Sequence, residues 1–120
     1  MKVLLTGSSK GIGYKIAKDL LAEGHELALH YNKNESTLEA LLEKDKTGSF
    51  SIQADLSKQD EIKKLVVSTI DKLSFPDCII NNAGIAESAD ISMDMYKWSM
   101  MFDKTIDINL KAPSLIFKEF

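Results

Sequence analysis

The sequence lacks the features of a membrane, nucleic-acid-binding or exported protein. No apolar run approaches the roughly eighteen residues of a membrane-spanning helix, and the N-terminus has no long apolar segment of a signal peptide. The net charge of −3 gives no attraction to nucleic acid or to an anionic membrane. The single cysteine, Cys78, lies in an apolar run, which predicts a small buried side chain. We therefore expect a cytoplasmic protein without a nucleic-acid or membrane partner.

Apolar runs and helical patterns alternate along the chain. The runs cover residues 2–6, 26–31, 50–54 and 77–81, and the length of 120 residues suits one domain with a buried core. This alternation is typical of a parallel sheet covered on both faces, and right-handed crossovers give the strand order 3-2-1-4. The prediction is an α/β fold, doubly wound, that stops after the fourth strand and the following helix.

The helices have recognisable boundaries. The first is predicted over 12–23 with Gly24 as its cap, the second from near Asn34 or Ser36 to before Gly48, and a long one over 94–120. Capping-box spacing is present in the pairs Ser36 with Glu39 and Ser57 with Asp60. The last helix has an apolar side that we interpret as core packing, the alternative being one wall of a substrate cleft: Met93, Met95, Trp98, Met101 and Phe102.

A glycine-rich stretch follows the first apolar run and begins the first helix. Free N–H groups and the positive end of the helix dipole favour an anion there, and glycines let it approach the backbone. The stretch therefore predicts a phosphate site, the alternative being a tight strand-to-helix turn without a ligand. Its residues are Thr6, Gly7, Ser8, Ser9, Lys10, Gly11, Ile12 and Gly13.

Three other segments follow strands of the predicted sheet. They are residues 30–33 after the second strand, Asp55 and Leu56 after the third, and residues 81–84 after the fourth. The carboxyl ends of parallel strands share one edge of a sheet. One extended ligand could therefore touch all these segments and the glycine-rich stretch.

Four motifs together resemble the short-chain dehydrogenase/reductase family. They are a T-G-x-x-x-G-x-G signature at Thr6 to Gly13, the Asn-Asn-Ala-Gly run at 81–84, Asp55 after the third strand, and the helical Asn109. The resemblance covers the whole chain and implies a Rossmann-like NAD(P)-binding domain over residues 1–120. Within the family, residues 31–35 and 82–85 look most like the beta-ketoacyl-acyl-carrier-protein reductase branch.

The resemblance implies a role for each of these segments. The backbone of 7–13 would hold the pyrophosphate, Asp55 would accept a hydrogen bond from the adenine amino group, and Leu56 would pack beside the ring. The small residues that would lie beside the adenosine ribose are Asn82, Ala83 and Gly84. The alternatives are that Asp55 merely precedes a helix cap and that Asn82 merely stabilises a loop.

The end of the second strand bears on the choice between NAD and NADP. An acidic residue there would bind the 2'-hydroxyl of NAD and repel a 2'-phosphate, but no carboxylate occurs before Glu35. Asn32 and Lys33 stand there instead, and Lys10 adds positive charge from the glycine-rich stretch. The sequence therefore predicts NADP(H), and no metal, as the cofactor requirement.

Asn109 is the one candidate catalytic residue. Pro113, four residues later, has no N–H for the Asn109 carbonyl, so the helix should be distorted there and this oxygen left free to bind water. The resemblance implies a water in a proton relay at this asparagine. The alternative is a proline kink without functional consequence.

The other catalytic residues that the resemblance implies are missing. In the family a serine and a Tyr-x-x-x-Lys follow the asparagine, whereas this chain ends eleven residues after Asn109. The spacing of Tyr14 and Lys18 matches, but the pair lies on the first helix and is expected to face solvent. We therefore interpret the sequence as the N-terminal half of a reductase, inactive by itself.

Two functions remain open from the sequence. The first is an NADP(H)-dependent oxidoreductase that transfers hydride between nicotinamide and a small carbonyl or alcohol substrate, and that is a homo-oligomer in its full-length form. The second is a non-catalytic NADP(H)-binding module that needs a partner to complete its sheet.

Overall fold

A computed structural model describes the chain from Met1 to Phe120. The strands are β1 (Lys2–Leu5), β2 (Glu26–Tyr31), β3 (Phe50–Gln53) and β4 (Cys78–Ile80). The helices are α1 (Gly11–Ala22), α2 (Ser36–Leu42), α3 (Gln59–Leu73), α4 (Met95–Ile106) and α5 (Ala112–Glu119), with a π-helical turn at Asp107–Lys111 between the last two. None of these helices has both the length and the hydropathy that crossing a membrane requires.

The four strands form one parallel sheet in the order β3-β2-β1-β4, which confirms the predicted topology. Leu4 of β1 lies in register with Ala28 of β2 on one side and with Ile79 of β4 on the other. Because all strands run in the same direction, the segments that follow them lie along one edge of the sheet. We call this edge the carboxyl edge.

Apolar side chains alternate along the strands and so supply a core on each face of the sheet. Leu4 and Ala28 belong to the core covered by α3 and α5, where Leu65 and Ile116 are fully buried. The other face is covered by α1 and α2. Its buried residues are Val3, Leu5, Ala17, Leu27, Leu29, Tyr31 and Leu38.

The apolar side of α4 is not core, contrary to the prediction. Met95 is 86% exposed, Phe102 58% and Trp98 40%, and no residue of α4 is buried. The helix follows β4, which has a neighbouring strand on one side only. The apolar spacing predicted the helix correctly, but in this structure the apolar side of α4 does not pack on the sheet. For the same reason Cys78, on β4, is half-buried and not buried as predicted.

Neither predicted capping box forms. The amide N–H and hydroxyl of Ser36 both donate to Asn34 Oδ1, at 3.1 and 2.8 Å, and no side chain caps α2. Ser57 donates in the same way to Asp55, and no side chain caps α3. Each serine is engaged by the Asn or Asp two residues before it in an Asx turn, which competes with capping.

The second helix begins at Ser36 and ends before Gly48, as predicted. It ends at Leu42, and the carboxylate of Asp45 then accepts hydrogen bonds from the N–H groups of Thr47, Gly48 and Ser49. Burial acts to raise the pKa of Asp45, but the hydrogen bonds from the Thr47 hydroxyl and from these three N–H groups together outweigh it and lower the pKa. A side chain that satisfies three successive N–H groups stabilises a turn, so the helix stops before Gly48 is reached.

Candidate nucleotide-binding site

Thr6 ties the end of β1 to the end of β4. Its buried hydroxyl accepts hydrogen bonds from the backbone N–H groups of Asn82 and Ala83, at 3.1 and 3.0 Å, and donates to the carbonyl of Ile80 at 3.4 Å. One hydroxyl therefore fixes where the chain leaves β4. The glycine-rich stretch and residues 82–84 are brought together as the sequence predicted.

Asn82 binds the glycine-rich stretch from the side of β4. Its Nδ2 donates to the carbonyls of Thr6 and Gly7, at 3.0 and 2.9 Å. A Cβ on Gly13 would lie 2.1 Å from the Gly7 oxygen and 2.4 Å from Asn82 Nδ2, so only glycine fits at position 13. The loop-stabilising role of Asn82, given above as an alternative, is therefore present in the structure.

Gly7 and Gly11 are both glycines for conformational reasons, but their surroundings differ. Gly7 has φ +67° and a Cβ there would lie 2.8 Å from the Ala83 Cα, whereas Gly11 has φ +55° and open space around the same position. Gly11 is also the first residue of α1, where unpaired N–H groups point out of the helix. The open side of the stretch lies at Gly11, beside exposed Lys10 and Ile12, where an anion could approach the helix N-terminus.

His30 makes contacts that the sequence did not predict, although residues 30–33 were expected at this edge. It is 2% exposed, its Nδ1 accepts from the Gly7 N–H at 3.0 Å, and its Nε2 lies 2.9 Å from the Ala54 carbonyl. These partners require the neutral imidazole with the proton on Nε2. Burial lowers the pKa of His30 and outweighs the opposing effect of the Ala54 carbonyl. The ring thus joins the glycine-rich stretch to the end of β3.

Ser8 is turned inward and not toward a ligand. Its backbone N–H and its hydroxyl both donate to the carbonyl of His30, each at 2.9 Å, and the side chain is fully buried. Ser9 is half-buried, and its carbonyl accepts from the Thr37 hydroxyl at 2.6 Å. The first turn of α2 therefore contacts the glycine-rich stretch.

Asp55 and Leu56 follow β3 at the carboxyl edge. Asp55 Oδ1 accepts from the N–H and hydroxyl of Ser57, and the hydroxyl bond is the main cause of the lowered pKa of Asp55. The other oxygen, Oδ2, lies 3.6 Å from Lys58 Nζ. Leu56 is 5% exposed and belongs to the core under α3 and α5. Asp55 remains a carboxylate at the edge, whereas Leu56 is mainly a core residue.

Positive charge collects where β2 ends. Asn32, Lys33 and Lys10 are exposed, and neither lysine takes part in an ion pair. Gln53 of β3 donates to the Asn32 carbonyl at 2.8 Å and so fixes the backbone there. Both ammonium groups are free to meet an anion at this corner of the carboxyl edge.

Asn109 lies in the π-helical turn and binds the segment after β4. Its Oδ1 accepts from the Ile85 N–H and its Nδ2 donates to the Ile85 carbonyl, both at 2.8 Å. The turn contains an i to i+5 bond from the Ala112 N–H to the Asp107 carbonyl. Pro113 cannot donate to the Asn109 carbonyl, which favours such a departure from the α-helical ladder. The amide of Asn109 thus holds residues 84 and 85 in place.

The Tyr14 and Lys18 pair lies away from this edge. Tyr14 is half-buried and packs on the core under α1 and α2, so the expectation that it faces solvent is wrong in part. Lys18 is exposed and lines a shallow cavity with Gly24 and Thr47, before β2 and before β3. The pair therefore stands apart from the site. The chain also has no cluster of three or more His, Cys, Asp or Glu side chains that could hold a metal ion.

A model of the short chain dehydrogenase family matches residues 1–120, and thus includes every segment of the carboxyl edge. The chain belongs to the short chain dehydrogenase family. The chain is 37% identical to 3-oxoacyl-acyl-carrier-protein reductase FabG of Staphylococcus epidermidis. The alignment of 113 residues covers 91% of this chain and 45% of that protein. The chain is 30% identical over 119 residues to 3-oxoacyl-acyl-carrier-protein reductase of Synechocystis, covering 96% and 47% respectively. The chain spans about half the length of these curated relatives.

Solved structures agree with the family and the fold. A blue fluorescent protein from a metagenomic library, in complex with NADPH, superposes with a TM-score of 0.85 at 26% identity, over 98% of this chain and 49% of that one. A metagenomic short-chain oxidoreductase in complex with NADP gives a TM-score of 0.81 at 28% identity, over 100% and 54%. The predicted Rossmann-like fold of a short-chain dehydrogenase is thereby confirmed.

Proposed function

We propose that this chain supplies the NADP(H)-binding part of a short-chain reductase that transfers hydride between nicotinamide and a carbonyl or alcohol. The observation that carries the proposal is the open space at Gly11 beside Lys10, at the same edge of the sheet as Lys33, with both lysines exposed and without an ion-pair partner. A helix N-terminus of this kind suits a pyrophosphate, and the lysines suit a 2'-phosphate.

The residues of the site fit a dinucleotide along the carboxyl edge. Gly11 and its neighbours would hold the pyrophosphate, and Asp55 Oδ2, which also faces Lys58, would accept from the adenine amino group. Asn82, Ala83 and Gly84 would line the ribose, although Asn82 already spends both Nδ2 bonds on the glycine-rich stretch. NADP(H), when bound, supplies the hydride. The structures in complex with NADPH and NADP support this cofactor.

Asn109 is proposed to act through its backbone. Its side chain is occupied by Ile85, so the group left to anchor a water is the main-chain carbonyl beside Pro113. The serine, tyrosine and lysine that the family resemblance implies do not occur in this arrangement within the 120 residues. The chain is therefore proposed to bind NADP(H) without turning over a substrate.

The finer proposal is a reductase of 3-oxoacyl groups on acyl carrier protein. It rests on the curated relatives at 37% and 30% identity, which bear that name. The second candidate is a non-catalytic NADP(H)-binding module, favoured by the position of Tyr14 and Lys18 away from the carboxyl edge. Both candidates require cofactor binding, and only the first requires a substrate pocket.

Nucleotide titration of the folded chain tests the proposal. We expect NADP(H) to bind about tenfold more tightly than NAD(H), since two lysine contacts of up to about 1 kcal/mol each act on the 2'-phosphate. Replacing Lys10 and Lys33 together by alanine should remove that difference, while Lys63→Ala on α3 serves as the matched control. Tighter binding of NAD(H) would overturn the cofactor assignment. Oxidation of NADPH with a ketone substrate by the 120 residues alone would overturn the proposal that they lack the proton donor.

A further inference from the structure

Glu35 is the first carboxylate after β2, and the structure holds it in place. Glu35 Oε1 accepts a hydrogen bond from the Ser51 hydroxyl at 2.5 Å. This bond is the main cause of the lowered pKa of Glu35, and the hydroxyl of Tyr31 acts in the same direction. Ser51 lies in β3 opposite Leu29, two residues before the end of the strand at Gln53. The carboxylate is thus directed along the sheet and away from the carboxyl edge.

The backbone of Glu35 nevertheless belongs to the corner where the lysines lie. Glu35 immediately precedes α2, and Thr37 in the first turn of that helix donates to the Ser9 carbonyl at 2.6 Å. Lys33 is two residues before Glu35, and Lys10 follows Ser9. The backbone of Glu35 therefore lies in the same corner as two lysines without an ion-pair partner, while its carboxylate is held by a hydroxyl outside that corner.

A free carboxylate in this corner would change which dinucleotide is preferred. It would accept a hydrogen bond from the ribose 2'-hydroxyl of NAD and repel the 2'-phosphate of NADP. We propose that Ser51, with the Tyr31 hydroxyl, restrains Glu35 away from the nucleotide and thereby sets the preference for NADP over NAD. This inference rests on the proposed function, because it concerns the specificity of that same site.

One other carboxylate must be separated from Glu35 in any test. Glu39 lies one helical turn further along α2, is exposed, and also acts electrostatically on Tyr31. It has the same charge and the same neighbour but lies further from the carboxyl edge. Glu39 is therefore the matched control for Glu35.

The experiment compares the ratio of the NAD and NADP dissociation constants among variants of the 120-residue chain. The release variant is Tyr31→Phe with Ser51→Ala, which removes both hydroxyls and keeps the ring and the backbone. We expect its ratio to shift toward NAD by about threefold to tenfold. Adding Glu35→Gln to the release variant should restore the original ratio, and adding Glu39→Gln should not.

The ratio separates specificity from damage to the fold, because the two nucleotides differ only in the 2' substituent. Equal weakening of both nucleotides, or the same shift with Glu35→Gln present, would overturn the inference. If the release variant fails to fold by circular dichroism, Ser51→Ala alone replaces it, with a smaller shift in the same direction expected and no shift counting against the inference. A wild-type chain that binds neither nucleotide would instead contradict the proposed function.

Discussion

The loop after β1 and the helix α4 use their side chains in opposite ways. In residues 6–13 even the polar side chains of Thr6 and Ser8 are buried, and both are hydrogen-bonded. In α4 no residue is buried, although Trp98 and Phe102 lie on it. Polarity alone would have predicted that Thr6 and Ser8 are exposed and that Trp98 and Phe102 are buried.

The difference shows what decides burial in this chain. The first part of the loop, residues 6–8, is enclosed because β1 lies between β2 and β4, so that His30 contacts it from one side and Asn82 from the other. The helix α4 follows the edge strand β4 and has its own N-terminal cap, Asp94, which accepts from the Lys97 N–H at 3.0 Å. Local signals suffice for a helix, whereas burial needs neighbours on both sides.

The largest effect is expected from Gly13→Ala in the loop. The new Cβ would meet the Gly7 oxygen at 2.1 Å and Asn82 at 2.4 Å, both fixed by other bonds. We expect a loss of about 3 kcal/mol or more in the free energy of unfolding, measured by urea denaturation.

The matched control is Gly11→Ala, since a Cβ there has open space and only the positive φ is unfavourable. Its cost should be about 1 to 2 kcal/mol. Equal losses for the two alanine variants would mean that the loop is not packed as described.

A smaller loss is expected from Thr6→Val. The substitution keeps the shape but leaves the N–H groups of Asn82 and Ala83 without their acceptor, at a cost of about 2 kcal/mol. The counterpart in α4 is Thr105→Val, whose hydroxyl only bonds the Met101 carbonyl one turn earlier. That variant should stay within about 0.5 kcal/mol of the parent. Both variants are compared by thermal denaturation, and a similar change in Tm for the two would contradict the distinction between the two regions.

The sequence predicted the elements of the carboxyl edge well and their mutual contacts poorly. Four apolar runs flanked by turn residues located the strands to within about two residues, because strand periodicity is a local property. The bond of Asn82 to Gly7 and the bridge made by His30 join residues far apart in the chain, so no local pattern predicts them. A polar residue at the end of an apolar strand, as at His30, was the one available signal. The contact of Glu35 with Ser51 was missed for the same reason, because it joins the residue before α2 to a strand sixteen residues later.

The pH dependence of the free energy of unfolding should show how much the bond of His30 to the loop contributes to stability. The folded state lowers the pKa of His30, so the unfolded chain binds a proton more readily than the folded chain does. Stability from neutral His30 is therefore fully present above about pH 6.5 and is lost as pH falls from there through the folded pKa. Chemical denaturation between pH 7.5 and 5 should show this decline as roughly one proton taken up on unfolding.

His30→Asn should flatten that decline, because asparagine does not titrate. Carboxylates with lowered pKa values, such as Asp55, lose their contribution only at lower pH, so they do not mask the effect. An unchanged pH profile in His30→Asn would show that another group is responsible.

The smallest effect is expected from Phe102→Ser on α4. The ring is 58% exposed and belongs to neither core, so its removal should change the free energy of unfolding by no more than about 0.5 kcal/mol. By contrast, Leu4→Ala in the sheet should cost about 2 to 5 kcal/mol. Self-association at high concentration should fall in Phe102→Ser, since exposed apolar patches promote it. A stability loss above about 2 kcal/mol would mean that α4 packs on the sheet, and the contrast with the loop would then disappear.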